Sequence, residues 1–167
     1  MVLATHAMIG AAVANIFPTH PVLGFFAAFG SHFVADAIPH WHYQLASRTH
    51  DSSDKMSTDM LFNKHFPVDL LKIGLDALIG ITVAVIFFHV SYPYIFSVTV
   101  IGALGGILPD ALQFCYFKWR HQPLTTLQRF HVWVHATTNL DARPIFGPAV
   151  QVALSFASVM AVKLFVD

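Results

Sequence analysis

Residues 77–109 read ALIGITVAVIFFHVSYPYIFSVTVIGALGGILP and contain no Asp, Glu, Lys or Arg. One helix needs about 20 apolar residues to cross the hydrocarbon of a bilayer, so this run is longer than a single crossing requires. Its middle, Val90-Ser91-Tyr92-Pro93, is a turn sequence, because proline cannot continue a helix. The stretch therefore predicts two antiparallel spans joined by a tight turn at Val90–Pro93. The first follows Phe66-Pro67, with proline at the first helical position, and runs to about His89. The second runs from about Tyr94 to Phe117, with Pro109 as a kink inside it.

Two more charge-free runs flank this hairpin. Residues 1–35 lack Asp, Lys and Arg but are interrupted at Pro18-Thr19-His20-Pro21. They predict a short hairpin of helices, about Val2–Phe17 and Pro21–Ile38, the first short enough to sit partly re-entrant. A signal peptide at the start is disfavoured, because no positive segment precedes the apolar one. Residues 144–162 are the third run, and the last span is expected over Phe146–Val166. Composition agrees: 56% of the 167 residues are apolar and 11% charged, less than half the roughly 25% of soluble domains. All nine acids are Asp, matched by nine Lys and Arg, while histidine numbers eleven. That balance excludes disorder and a nucleic-acid binder that works through phosphate contacts. The one cysteine excludes a disulfide framework.

The expected fold is thus all-α: one membrane-embedded domain, residues 1–167, with about five transmembrane helices and one interfacial helix. The interfacial helix lies in Leu124–Asn139, capped by Thr125 or Thr126 and running to about Thr138, with apolar and polar faces. The polar loops are 41–66 and 118–145. Arg48, Lys55, Lys64, Lys118, Arg120, Arg129 and Arg143 lie in them, with Lys72 one turn into the third helix. Only Lys163 falls towards the other side. Eight bases against one predict these loops and the N-terminus inside and the C-terminus outside, as in a bacterial inner membrane.

Ionisable residues inside or at the edge of a membrane are costly and point to function. On this topology His6, His32, Asp36, His40, Asp76, Asp110, His131 and His135 all fall on or just below the inner face, from five separate segments. His32-x-x-x-Asp36 and His131-x-x-x-His135 each place two ligand-type side chains one helical turn apart. Imidazole and carboxylate suit zinc, iron or manganese. The expected ligands are His6, His32, Asp36, Asp110, His131 and His135, around one or two divalent ions, zinc foremost. Asp76 or His40 is expected as a further ligand or the proton-transfer group. Some residues have plainer readings. Asp76 could pair with Lys72, Asp69 could cap its helix, and His42 and His50 could be solvated. Gly10, Gly102, Gly105 and Gly106 are small enough to let the ligand-bearing helices approach closely.

Thr5-His6 followed by Gly10, Leu108-Pro109-Asp110 after a small-residue helix, and His32-x-x-x-Asp36 together resemble the LexA-regulated, membrane-bound, metal-dependent hydrolases. The block from Ser31-His32-Phe33 to Asp36-Ala37-Ile38-Pro39-His40 and the segment Gln128-Arg129-Phe130-His131 add to the likeness. That family is similar, distantly, to zinc-dependent phospholipase C-like proteins. In one respect the chain departs from the pattern: Asp110 is followed by Ala111-Leu112-Gln113, with no further acid or histidine. The resemblance implies a hydrolase whose His and Asp residues bind the metal. The expected substrate is a phosphoester, with a phospholipid headgroup as the membrane-borne case and membrane lipids as the surroundings. Lys72 or Arg129 would meet its negative charge. The competing readings are a metal-ion or proton transporter and a non-catalytic structural protein. The outer halves of the long helices offer few polar residues for an ion path, which favours a one-sided site.

Overall fold

A computed structural model describes residues 1–49, 54–91 and 96–166, the side chains of 89–91 and 166 excepted. The described residues form six α-helices: α1 Leu3–Ala14, α2 Pro21–Asp36, α3 Phe66–Ser91, α4 Phe96–Lys118, α5 Leu124–Val134 and α6 Phe146–Val166. Three are long and apolar enough to cross a membrane, over Phe66–Phe88, Phe96–Lys118 and Phe146–Phe165. α1 and α2, with 12 and 16 residues, extend only about 18 and 24 Å at 1.5 Å per residue. Part of the turn expected at Val90–Pro93 lies outside the described residues, as do His50 and Asp51.

α1 is the centre of the bundle and packs against α2, α3, α4 and α6. It can do so because its neighbours meet it with glycine. A Cβ on Gly106 would strike the His6 carbonyl oxygen, and one on Gly102 would strike Ala14 Cβ. One on Gly80 of α3 would strike the Ala4 backbone. Gly105 admits the Phe25 carbonyl of α2 in the same way, with 2.9 Å from the built Cβ position to the oxygen. These close approaches bring His6, His32, Asp36 and Asp110 to one level.

The first turn of α1 has no cap of its own, and its free N–H groups need partners. Other helices supply them. Leu3 N–H donates to Asp76 Oδ2 at 2.7 Å and Ala4 N–H to Oδ1 at 3.3 Å. Val2 N–H donates to Gln151 Oε1 of α6 at 3.0 Å. Gln151 also donates to the Trp41 carbonyl, tying α6 to the segment after α2.

Some expected boundaries move. α1 stops at Ala14 rather than Phe17, and α2 at Asp36 rather than Ile38. α4 continues through Pro109. α5 follows Pro123 without a threonine cap, since Thr126 Oγ1 donates back to Gln122. It ends at Val134 rather than Thr138, because His135 turns extended (ψ 132°). Between α2 and α3, β1 (Arg48–Thr49) pairs antiparallel with β2 (Asp59–Met60), beside a 3-10 turn at Lys55–Ser57. Lys118 pairs with Asp59 at 2.8 Å, and Arg120 donates to carbonyls of Met56, Ser57 and Thr58. Two of the bases that predict the inner side therefore pin this loop to the end of α4.

Candidate metal centre

Asp36, the last residue of α2, is the hub. Its Oδ2 lies 2.9 Å from His131 Nε2 and 3.3 Å from His32 Nε2. Its Oδ1 lies 3.1 Å from His6 Nε2, 2.9 Å from the Met1 amino group and 3.6 Å from His40 Nε2. The i,i+4 spacing on α2 delivers His32, α1 delivers His6, and α5 delivers His131 from the other end of the sequence. His6, His32, Asp36, His40 and His131 are all at most 2% exposed. Asp110 of α4 is more open and lies 3.8 Å from His32 Nε2.

His32, Asp36, Asp110 and His131 form a group that could hold a metal ion. Zinc bonds of about 2.0–2.2 Å in a tetrahedron place neighbouring ligand atoms about 3.3–3.6 Å apart. The separations here are 3.3 Å for His32 to His131, 2.9 Å for His131 to Asp36, 3.3 Å for His32 to Asp36 and 3.8 Å for His32 to Asp110. The donor set fits. His32 is also oriented as a ligand. Its Nδ1 lies 2.8 Å from the Gly106 carbonyl oxygen, which can only accept, so the ring carries a proton there. In the neutral ring the Nε2 lone pair then faces the group. Metal-binding histidines commonly use their second nitrogen in this way.

His6 adjoins this group without joining it. Its ring stacks on His32 with centroids 3.9 Å apart, and its buried Nδ1 has no hydrogen-bond partner. His131 Nδ1 is likewise buried and unpartnered.

A second group, His40, His42 and His135, could also hold an ion. The expected pair His131 and His135 is thus divided between the two groups. α5 ends between them, and the extended backbone at His135 carries its ring away from the helix axis. His40 Nδ1 lies 2.6 Å from the Ile38 carbonyl oxygen, His42 Nδ1 3.1 Å from Asp141 Oδ1, and His135 Nδ1 3.2 Å from the Ala136 carbonyl oxygen. Burial pushes His40 down to about 3 and His42 down to about 4, with the Met1 ammonium adding to the effect. Burial lowers His135 too. Burial thus favours the neutral ring in all three, the state a metal requires.

The remaining expectations fall elsewhere. Asp76 lies outside both groups, its carboxylate held by the start of α1 and by Tyr43 Oη at 3.4 Å. It does not pair with Lys72. Lys72 pairs with Asp69 at 3.2 Å. Asp69 in turn accepts from both the N–H and the hydroxyl of Ser47 at 2.7 Å, so it anchors the loop and not only its own helix. His42, expected to be solvated, is drawn in by Asp141. The one trace of this in the sequence is the alternation His40-x-His42, which puts both rings on one side of an extended strand.

Asp36, Asp110, His131, His135, His42 and Asp141 lie along a cavity of about 760 Å³. Arg48 and Lys55 also line it, as do Leu70, Ile73, Ile107, Phe114 and Phe117. Lys72 and Arg129 are not among its lining residues. Comparison with known proteins finds no matching family, curated protein or solved structure. The functional reading therefore rests on the site itself.

Proposed function

We propose that the protein is an integral membrane, metal-dependent hydrolase that cleaves a phosphoester at the cytoplasmic face, with zinc held by His32, Asp36, Asp110 and His131. One observation carries the reading. Three of the four ligand-type side chains, Asp36, Asp110 and His131, line a cavity that also holds two cations and an apolar wall, and the buried His32 lies beside them. A bound zinc ion would supply Lewis acidity and make water a usable nucleophile near neutral pH.

The chain's own residues do the rest. The Gly106 carbonyl fixes the His32 ring. Asp36 orients His131 and His6 together. Arg48 and Lys55 draw an anionic group to the site, in place of the Lys72 or Arg129 expected from sequence. Leu70, Ile73 and Phe114 offer an acyl chain a dry surface, which favours a phospholipid over a small soluble ester. Asp76 is committed to α1 and takes no part in the chemistry.

In this reading α1 and α2 form a short hairpin beside the three long helices, so that five helices enter the bilayer. The bases of 41–66 and 118–145 keep those loops in the cytoplasm. α5 lies along the surface, with Trp133 and Phe130 exposed towards lipid and Gln128 and His131 buried. The resemblance to LexA-regulated hydrolases supports the same class of activity.

The test is turnover of a phosphodiester and of phospholipid vesicles by the purified, zinc-loaded protein. Hydrolysis that a chelator abolishes, and that His131→Ala loses, is expected. Zinc flux across proteoliposomes without hydrolysis would overturn the reading in favour of a transporter.

A further inference from the structure

We infer that the protein binds a second cation, held by His40, His42 and His135 and linked to the first centre through the Asp36 carboxylate. The inference stands on the geometry of these residues and does not require the hydrolase reading.

Backbone pairing assembles the second group. Ala136 N–H donates to the Asp36 carbonyl at 2.8 Å and Leu140 N–H to the His40 carbonyl at 2.9 Å. These bonds lay residues 136–140 beside 36–40. His135 is thereby set against His40, with ring centroids 4.8 Å apart, and stacked on His42 at 5.6 Å.

Each ring then spends its proton away from the centre. The Ile38 and Ala136 carbonyls can only accept, and the Asp141 carboxylate accepts at His42 Nδ1 while also taking the His42 backbone N–H at 2.8 Å. Neutral rings protonated at Nδ1 have bare lone pairs at Nε2. Yet His40 Nε2 and His42 Nε2 lie 2.9 Å apart. Two lone pairs at that distance repel, and a cation that both can ligate removes the repulsion. One ligand-type nitrogen from each of the three rings lies within 4.8 Å of the others.

The set is also complete in kind. Three imidazoles select zinc or a similar transition ion over magnesium or calcium. Three protein ligands with a free fourth position describe an accessible centre, and His42, His135 and Asp141 line the cavity. Asp141 is a positioning residue for His42, the carboxylate–histidine pairing that fixes a ligand ring. Asp36 is the bridge. Its Oδ2 faces His131 and its Oδ1 faces His40 at 3.6 Å. A carboxylate bridge suits two ions about 3.5–4 Å apart.

The experiment uses the full chain purified in detergent, stripped with a chelator and reloaded with Zn²⁺, with metal counted by elemental analysis and helicity followed by circular dichroism. The expected result is about two equivalents. His42→Ala and His135→Ala should each keep one and retain their helicity. Asp141→Asn should keep two at saturation while the weaker equivalent loses about 10–100-fold in affinity. Loaded with Mn²⁺, the wild type should give the electron paramagnetic resonance spectrum of an exchange-coupled pair, and His42→Ala that of an isolated ion. One equivalent in the wild type, unchanged in His42→Ala and absent in His131→Ala, would overturn the second site and leave the first centre standing. Loss of both equivalents in His42→Ala with helicity intact would overturn it too, since the two groups would then be one site. Two equivalents without phosphoester turnover would overturn the hydrolase reading and leave this inference in place.

Discussion

Of the twelve residues of α1, eight are buried against its neighbours, while of the apolar window of α3 only 11% is buried. Both helices are strongly apolar, yet their side chains differ. α1 is built of Ala, Gly, Thr and Met around His6, and it meets α4 and α3 at glycines. α3 turns Leu70, Leu71, Leu75, Leu78, Ile79 and Ile86 outward. So large and continuous an apolar face, on a helix long enough to cross a membrane, is of the kind that lipid covers. α6 behaves like α3, with Val152, Phe156, Met160, Leu164 and Phe165 outward. In a membrane helix, then, apolarity marks the contact with lipid, and small residues mark the contact with protein. Ionisable residues follow the second class: His6, His32 and Asp36 sit where the small-residue helices meet.

That contrast can be broken at either pole. The largest effect is expected from Asp36→Ala, which removes the carboxylate around which His6, His32 and His131 gather. It should empty the first zinc centre and lower stability by about 3–5 kcal/mol, the usual cost of removing one partner from a buried ionic group, as read by elemental analysis and an unfolding titration. Leu78→Asp tests the lipid face. A carboxylate at the centre of a membrane helix costs about 2.5–3.5 kcal/mol on insertion, so a glycosylation-mapping insertion assay should show α3 failing to integrate. Normal integration would mean that this face meets water. Gly106→Ala forces α1 off α4, because its Cβ would strike the His6 carbonyl oxygen, and should cost about 1–3 kcal/mol, with weaker zinc binding because α4 also carries Asp110. Gly30 and Gly74 have nothing within 4 Å of a built Cβ, so Gly30→Ala and Gly74→Ala should stay within about 1 kcal/mol of wild type. Asp76→Ala removes the borrowed cap of α1. It should cost about 0.5–2 kcal/mol in an unfolding titration and leave the zinc stoichiometry unchanged.

The smallest effect sharpens the site. Protonation competes with metal for imidazole. Ordinary histidines, near 6.5, would weaken zinc binding as pH falls from 7 to 6. In the second group burial holds His40 near about 3 and His42 near about 4. Competition from these two rings should therefore stay small above about pH 5. Zinc affinity titrated in His131→Ala, which isolates this group, should fall less between pH 8 and 6 than at a site of ordinary histidines. A fall between 7 and 6 as steep as that of ordinary histidines would show that burial does not hold these rings neutral.

Much of this could be read from the chain. The three long helices follow from runs of residues without charge, and their ends follow from Pro67, Pro93 and the bases beyond. The close crossing of α1 and α4 is foreshadowed by Gly10, Gly102 and Gly106. The meeting of His32 with Asp36 is a matter of helical period. The rest was not legible, for reasons particular to each residue. Asp76 looked like a buried site acid, but a carboxylate and a helix N-terminus attract each other from any distance along a sequence. His131 and His135 looked like partners because nothing marks Val134 as the last helical residue. His42 looked solvated because its partner Asp141 is 99 residues away.

What the sequence by itself determined is which segments are helical, which of them are apolar enough for a membrane, and which residue types a metal could use. Those properties are local, set by hydropathy and by the 3.6-residue turn. The tertiary structure alone decided how the ligand-type side chains divide into two groups about Asp36, and that Asp76 holds a helix instead. Backbone bonds between residues 36–40 and 136–140 and glycine-thin helix crossings make that division. Both are contacts between distant parts of the chain, whose pairing no local pattern encodes.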